Sequence, residues 1–331
     1  MAFIFRNKFG LPSLPPSGTF KHSTILITGA TGGLGLATAV HFINLGATSV
    51  IITARSNAKG EAARASIETQ TGTVGKGIVK VMLLDMSTLA STKQFADQIK
   101  REVKTIDYLL LNAGLLNTTF QQGQEGFEET IQVNVLSTAL LGLLLLPWIK
   151  EAGKGKAHMG FVTSGLHRSV DIGTWPQNDV LGFFSKPQNW PKGGMYGTSK
   201  LLEQYVVNEI AKLAVGKDGK AEVIVNPMCP GMVKSDLGRQ YKTGAVASFG
   251  VDMIMNIIAK STEGGARTLV LAALAKENGE YITHYQSDAD YKIAAEESVF
   301  GAKGQKMQAE VWKEVLAVLE MEVPEVRTIT R

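Results

Sequence analysis

A doubly wound α/β domain built on a parallel sheet is predicted by three observations. Short apolar, β-branched runs alternate with helix-length amphipathic or Ala-rich segments along the first 230 or so residues. The strand-like runs are continuously apolar rather than alternating, as expected for strands covered on both faces. The first such run leads straight into a glycine-rich turn, "TGATGGLG" at 28–35, and then into a helix.

The elements follow in order. "STILITG" (23–29) reads as a buried strand, and "GGLGLATAVHFINLGA" (32–47) as the helix after it, with Gly46 at its end. "SVIITAR" (49–55) is the second strand and "KGEAARASIETQ" the second helix. "KVMLLD" (80–85) and "TLASTKQFADQIKREV" repeat the pattern, and "TIDYLLLNAG" (105–114) is a fourth strand ending at Asn112. A helix from about Glu125 to Ile149 precedes the strand "HMGFVTS" (158–164). After an irregular stretch come a helix holding Tyr196 and Lys200 and the strand "AEVIVNP" (221–227). The expected organisation is an N-terminal extension (1–22) on one Rossmann-type domain (23–331). Within it we place an aromatic insertion (165–195), a helical substrate lid (237–260) and a C-terminal helical appendage (286–331) with a helix at 305–321.

Composition bounds the function. At 331 residues, 44% apolar and 19% charged, the chain can bury a sizeable core. Its charge of +4 is scattered over Lys154, Lys156, Lys212, Lys217 and Lys220 near expected loops, which reads as a solvated face and not a nucleic-acid surface. The single cysteine, Cys229, allows no internal disulfide and reads as a packed thiol; cytoplasm is the expected compartment. The apolar start "MAFIF" stops at Arg6, short of a signal peptide, and reads as an extension packed on the domain, with peripheral membrane contact left open. "ALLGLLLLPWI" (139–149) is too short to span a bilayer, so no transmembrane segment is expected.

A strand, a glycine turn and a helix N-terminus together form a pyrophosphate site. The turn fits two spacings, through Gly29, Gly33 and Gly35 or through Gly29, Gly32 and Gly35. Strand two ends in "ITARSNAKG", with no acid for a ribose 2′-hydroxyl but with Arg55, and Lys59 nearby. A guanidinium suits a 2′-phosphate, so NADP(H) is expected over NAD(H).

Five motifs stand in order at predicted element boundaries: "TGATGGLG", "LNAG" (111–114), "QVNVLS" around Asn134, "VTSG" (162–165) and "YGTSK" (196–200), followed by "NPMCPGMVKSDL" (226–237). Over about 23–285 the chain resembles the short-chain dehydrogenase/reductase family, non-extended branch, most like its retinol-dehydrogenase-like and fungal secondary-metabolism members. The resemblance implies a catalytic tetrad of Asn134, Ser164, Tyr196 and Lys200. It also implies cofactor contacts from Gly29, Gly33, Leu34, Gly35, Asp85, Asn112, Ala113, Gly114, Tyr196, Lys200, Pro230, Gly231, Val233 and Ser235, and no metal. A phenol with a pKa near 10 needs about 4 kcal/mol of phenolate stabilisation to titrate near 7. Lys200, one helical turn on, together with a positive nicotinamide, is a source for it. Ser164 would hold the substrate oxygen, and Asn134 would sit behind Lys200 with a relay water.

The expected activity is NADPH-dependent hydride transfer between nicotinamide and a bulky, largely apolar ketone or alcohol. Cofactor-assisted non-redox chemistry on the same scaffold, or a non-catalytic NADP(H) sensor, are the alternatives. Trp175, Phe183, Phe184 and Trp190 in the insertion either floor an apolar pocket or pack the loop onto the body. Met253 and Met255 in the expected lid suit an irregular apolar ligand. His167 is open to a second acid/base role or to a loop hydrogen bond. Family members form dimers and tetramers through the helices around 125–149 and 196–213, so the resemblance implies a homo-oligomer without fixing its size.

Overall fold

The structure, a computed structural model, describes residues 2–235, 237–238 and 255–331. Most of the expected lid, Met253 included, lies outside the described residues.

Six strands form one sheet: β1 (Thr24–Ile27), β2 (Ser49–Ala54), β3 (Val79–Leu83), β4 (Tyr108–Leu111), β5 (His158–Val162) and β6 (Ile224–Met228). Their order is β3-β2-β1-β4-β5-β6, and every pairing is parallel. The continuous apolar runs have their expected cause: Ile25, Leu26 and Ile27 of β1 are fully buried, with helices on both sheet faces. The order reverses between β1 and β4, and a ligand crevice opens at the carboxyl ends of strands flanking such a point.

Preceding β1 is α1 (Ala2–Phe9); α2 (Gly33–Asn44), α3 (Asn57–Thr71) and α4 (Leu89–Glu102) follow β1, β2 and β3. The extension does pack on the domain. Asn7 is fully buried, donates to the carbonyls of Met232 and Ile258, and accepts the Met232 N–H.

The long helix α5 runs Glu129–Gly153. It starts four residues later than expected because Glu128 caps it, accepting the N–H groups of Thr130 and Ile131. Residues Gln132–Ser137 of it are wound as π-helix. By length and hydropathy α5 could cross a membrane, but 94% of its apolar window is buried inside the protein, as in a core helix.

The insertion folds into short 3₁₀ turns and α6 (Val180–Phe184). Trp175, Phe184 and Trp190 are buried, and Trp175 meets Phe184 edge to face at 5.1 Å between ring centres. Next comes α7 (Met195–Leu213), then α8 (Thr262–Ala272), α9 (Asp288–Ala294), α10 (Ala302–Glu322) and α11 (Val326–Thr330). Glu314 of α10 accepts the N–H groups of Val180 and Leu181, which caps α6 and fastens the insertion to the C-terminal helix. Of the two readings of the aromatics, packing onto the body is the one observed. α10 lies along α7 and α11 along α5, so this chain's own C-terminus packs on part of the two helices that the resemblance assigns to subunit contacts.

Candidate active site

The glycine turn is shaped by three of its four glycines. Gly29 and Gly33 have φ of +67° and +55°, the left-handed region that favours glycine. A Cβ on Gly29 would lie 2.8 Å from Ala113 Cα, and one on Gly35 2.7 Å from the Gly29 carbonyl and 2.8 Å from Asn112 Nδ2. Gly32 is extended, and a Cβ there would meet nothing within 4 Å. The spacing through Gly29, Gly33 and Gly35 is therefore the one the backbone needs. Gly32 offers no side-chain cap, so the N–H groups of Gly33, Leu34 and Gly35 stand in an uncapped first turn of α2. Such a cradle fits a pyrophosphate. The Leu34 side chain reaches Gly265, as Val233 does: a Cβ there would lie 2.7 Å from Leu34 Cδ2 and 2.6 Å from Val233 Cγ2.

Strand four is tied to this turn. Asn112 Nδ2 donates to the carbonyls of Thr28 (2.9 Å) and Gly29 (3.2 Å), and the N–H groups of Asn112 and Ala113 both donate to Thr28 Oγ1. Thr53 Oγ1, on β2, accepts the Gly29 N–H at 3.2 Å. Two residues beyond Thr53, Arg55 is exposed and in no ion pair among the described residues. Asp85, past the end of β3, is exposed, with Oδ1 accepting the Ser87 N–H. Ser235 comes to the turn from the other side, its Cβ 3.8 Å from where a Gly33 Cβ would sit.

Ser164, Tyr196, Lys200 and Asn134 converge at the carboxyl ends of β4 and β5. Tyr196 stands near enough to Ser164 for that side chain to pull the phenol's pKa down. Lys200 Nζ lies 5.8 Å from the Tyr196 ring centre. It donates to the Val162 carbonyl and to Glu203 Oε2, each at 2.7 Å. A Cβ on Gly114 would lie 3.1 Å from Asn134 Oδ1 and 3.6 Å from Lys200 Nζ, so Gly114 lets those two approach. The Asn134 amide is committed: Oδ1 accepts the Leu115 N–H, and Nδ2 donates to the Leu115 carbonyl and Ser199 Oγ. Desolvation drives the Tyr196 phenol above its ordinary value; Lys200 and Ser164 pull down, Glu203 pushes up, and the net is up. Without a further positive charge, Tyr196 is a protonated acid.

Pro230 and Gly231 turn the chain after β6, with Gly231 at φ +78°. A Cβ there would lie 2.2 Å from Asn7 Oδ1, so α1 presses on this turn. Cys229 is buried, as expected of a packed thiol, and Sγ accepts from the N–H groups of Gly165 and Gly231 and from the Tyr285 hydroxyl. His167 is buried: its Nδ1–H donates to the Ser164 carbonyl at 2.5 Å, which leaves Nε2 to accept the Tyr291 hydroxyl at 3.0 Å. Burial, chiefly, lowers its pKa to about 3, so it is a neutral brace for the Ser164 loop.

This is a dinucleotide-type cradle beside a Ser–Tyr–Lys cluster in which Lys200 is buried and Ser164 and Tyr196 are half-buried. The family model for short chain dehydrogenases matches residues 23–165. The short-chain dehydrogenase/reductase ffsI of Aspergillus flavipes is 34% identical over 325 residues, 96% of this chain and 92% of that protein. The short-chain dehydrogenase/reductase phmF of Phaeosphaeria nodorum is 34% identical over 334 residues, 98% of this chain and 94% of its own. Among solved structures, a short chain dehydrogenase from Pseudomonas syringae superposes with a TM-score of 0.61 at 21% identity, covering 82% of this chain and 98% of that one. A short chain dehydrogenase from Shigella flexneri complexed with NADP gives 0.54 at 22% identity, covering 75% and 89%. The chain belongs to the short-chain dehydrogenase/reductase family and is an oxidoreductase of that family.

Sequence reasoning missed Thr28 and Thr53, which hold the glycine turn, and Glu203. The threonines end β-branched runs and carry no distinguishing spacing. Glu203 stands three residues after Lys200, a spacing that places both on one helix face.

Proposed function

We propose that the chain is an NADPH-dependent reductase or alcohol dehydrogenase acting on a ketone or secondary alcohol, in the cytoplasm and in fungal secondary metabolism. The observation that carries the reading is the half-buried Tyr196 phenol beside Ser164, with the Lys200 ammonium 5.8 Å from its ring and one helical turn on, next to a glycine cradle. When bound, the nicotinamide supplies or accepts the hydride. The cradle N–H groups of Gly33, Leu34 and Gly35 hold the diphosphate, and Arg55 pairs with the 2′-phosphate. Ser164 Oγ donates to the substrate oxygen and orients it. Tyr196 Oη holds the proton that the oxygen takes up as its charge develops. Lys200 stabilises the phenolate left behind, and Asn134 braces the Leu115 segment next to it. The insertion's rings are packed in the core, so the expectation of a bulky apolar substrate rests on the lid residues and not on these aromatics.

The test is oxidation of NADPH and of NADH against a panel of ketones and aldehydes, with Tyr196→Phe and Arg55→Ala in parallel. Loss of the general acid predicts a fall of about 10²–10⁴-fold in turnover for Tyr196→Phe, with NADPH still bound. Arg55→Ala is expected to weaken NADPH binding about tenfold, roughly 1.4 kcal/mol, and to leave NADH binding unchanged. A Tyr196→Phe protein that reduces ketones as fast as the parent would overturn the mechanism.

A further inference from the structure

Directly beyond Lys200 the helix carries a second buried ionisable group. Glu203 and Lys200 side chains are 2% and 4% exposed, and Glu203 Oε2 accepts from Lys200 Nζ at 2.7 Å. The other acceptor for that ammonium is the neutral Val162 carbonyl. An ammonium stripped of water sheds its proton unless a counter-charge replaces the lost hydration. A lone carboxylate in the same place would take a proton up for the same reason. Burial raises the Glu203 carboxyl to about 7 even with Lys200 beside it, so each group keeps its charge in this interior only through the other.

We infer that Glu203 is a positioning residue of the active site: its buried carboxylate keeps Lys200 a cation and holds Nζ against the end of β5, so that Tyr196 stands beside an ion pair and not a bare lysine. This deepens the reading of Tyr196 and Lys200 given above and rests on it.

The surroundings leave the assignment to Glu203. Tyr196 and the Cys229 thiol are the other titratable groups whose charge reaches Lys200. The turn Gly165–Ser169, packed on α7, brings His167, which is neutral, and Arg168, which donates to the Gly165 carbonyl and to Gln286. At the start of α5, Glu129 is bonded to Asn117, and farther along Lys150 pairs with Glu222. From α10, Gln308 donates to Glu209. β6 presents the uncharged Asn226, whose amide donates to the carbonyls of Glu277 and Glu280. In Lys200 itself burial pushes the pKa down and Glu203, ahead of Tyr196, pushes it back above the ordinary lysine value.

One consequence is specific. A lysine already neutralised by its neighbour lowers the pKa of Tyr196 less than a free one would. The phenol is thereby held protonated until another positive charge enters, which suits a proton donor in carbonyl reduction.

The experiment is an NMR pH titration of the cofactor-free protein labelled with ¹⁵N-lysine, with the Lys200 Nζ signal identified by its loss in Lys200→Arg. Glu203→Gln keeps the shape and removes the charge. Its Lys200 midpoint is expected at least about one pH unit below the parent's, a tenfold loss of proton affinity. Glu203→Asp, which keeps the charge, is expected to retain a midpoint above that of Glu203→Gln. An unchanged midpoint in Glu203→Gln would overturn the proposal, and so would equal falls in both variants, since packing would then be the cause. Should Glu203→Gln fail to fold, the coupling is read from the other partner: the ¹³C-carboxyl of Glu203 must titrate at higher pH in Lys200→Met than in the parent, and an equal midpoint sinks the pairing. Absence of turnover in the parent protein would count against the proposed reaction alone, because the titration needs neither cofactor nor substrate.

Discussion

Gly32 and Gly33 are neighbours under opposite constraints. Gly33 sits at φ +55°, where a side chain costs about 1–2 kcal/mol, while Gly32 is extended with open space around it. Gly33→Ala is expected to weaken NADPH binding about tenfold or more and Gly32→Ala to leave it nearly unchanged, measured by fluorescence titration. The sequence alone offered both as members of the turn, because two spacings fit and only the backbone angle separates them. His167 carries a second residue-scale consequence. The unfolded chain protonates this imidazole near pH 6.5, whereas the folded one stays neutral down to about 3. Below 6.5 the unfolded state binds the extra proton, so stability falls as the pH falls, by up to about 1.4 kcal/mol per unit until about 3. In His167→Gln that slope, taken from urea melts between pH 7 and pH 4, should be shallower than in the parent. Tyr196 and Lys200 were legible because a four-residue step on a helix is visible in the text. Glu203 was not: "KLLEQY" reads like an ordinary acid on a solvated face, and only distant chain packed around α7 makes it buried.

At the scale of elements, the strands were read to within a few residues because each is a short apolar run bounded by turn residues. The start of α5 was displaced since Glu128 caps through its side chain, and an acid one position before a helix looks like an acid inside it. The insertion was the ambiguous element. Four aromatics among prolines and glycines say that a loop buries rings without saying against what. Glu314, more than a hundred residues on, supplies that answer by capping α6 and drawing the rings onto α10. Trp175→Ala should therefore act on stability, costing about 3–5 kcal/mol in chemical denaturation, and should leave the substrate KM of the surviving folded protein unchanged. A raised KM at undiminished stability would return these rings to the substrate pocket. α1 shows the same long reach: a terminal segment that looked accessory fills, through Asn7, the space beside Gly231.

For the molecule as a whole, the sheet and its order follow from features that sequence displays well. Repeated strand–helix units give parallel strands, right-handed crossovers leave few orders open, and the crevice falls where the order reverses. What sequence does not display is which helix covers which. The apolar flanks of α5 and α7 would serve equally against a second copy or against the chain's own end, and periodicity reads the same in both cases. Here α10 and α11 take those flanks. A cover joined to its partner by peptide bonds is present at an effective concentration of order millimolar whatever the solution holds. Dilution cannot strip it off, so the unfolding midpoint should be the same at nanomolar and at micromolar protein, and a midpoint that climbs with concentration would mean that another molecule shares the task. The chain thus carries its own lining for the face behind the active-site helix.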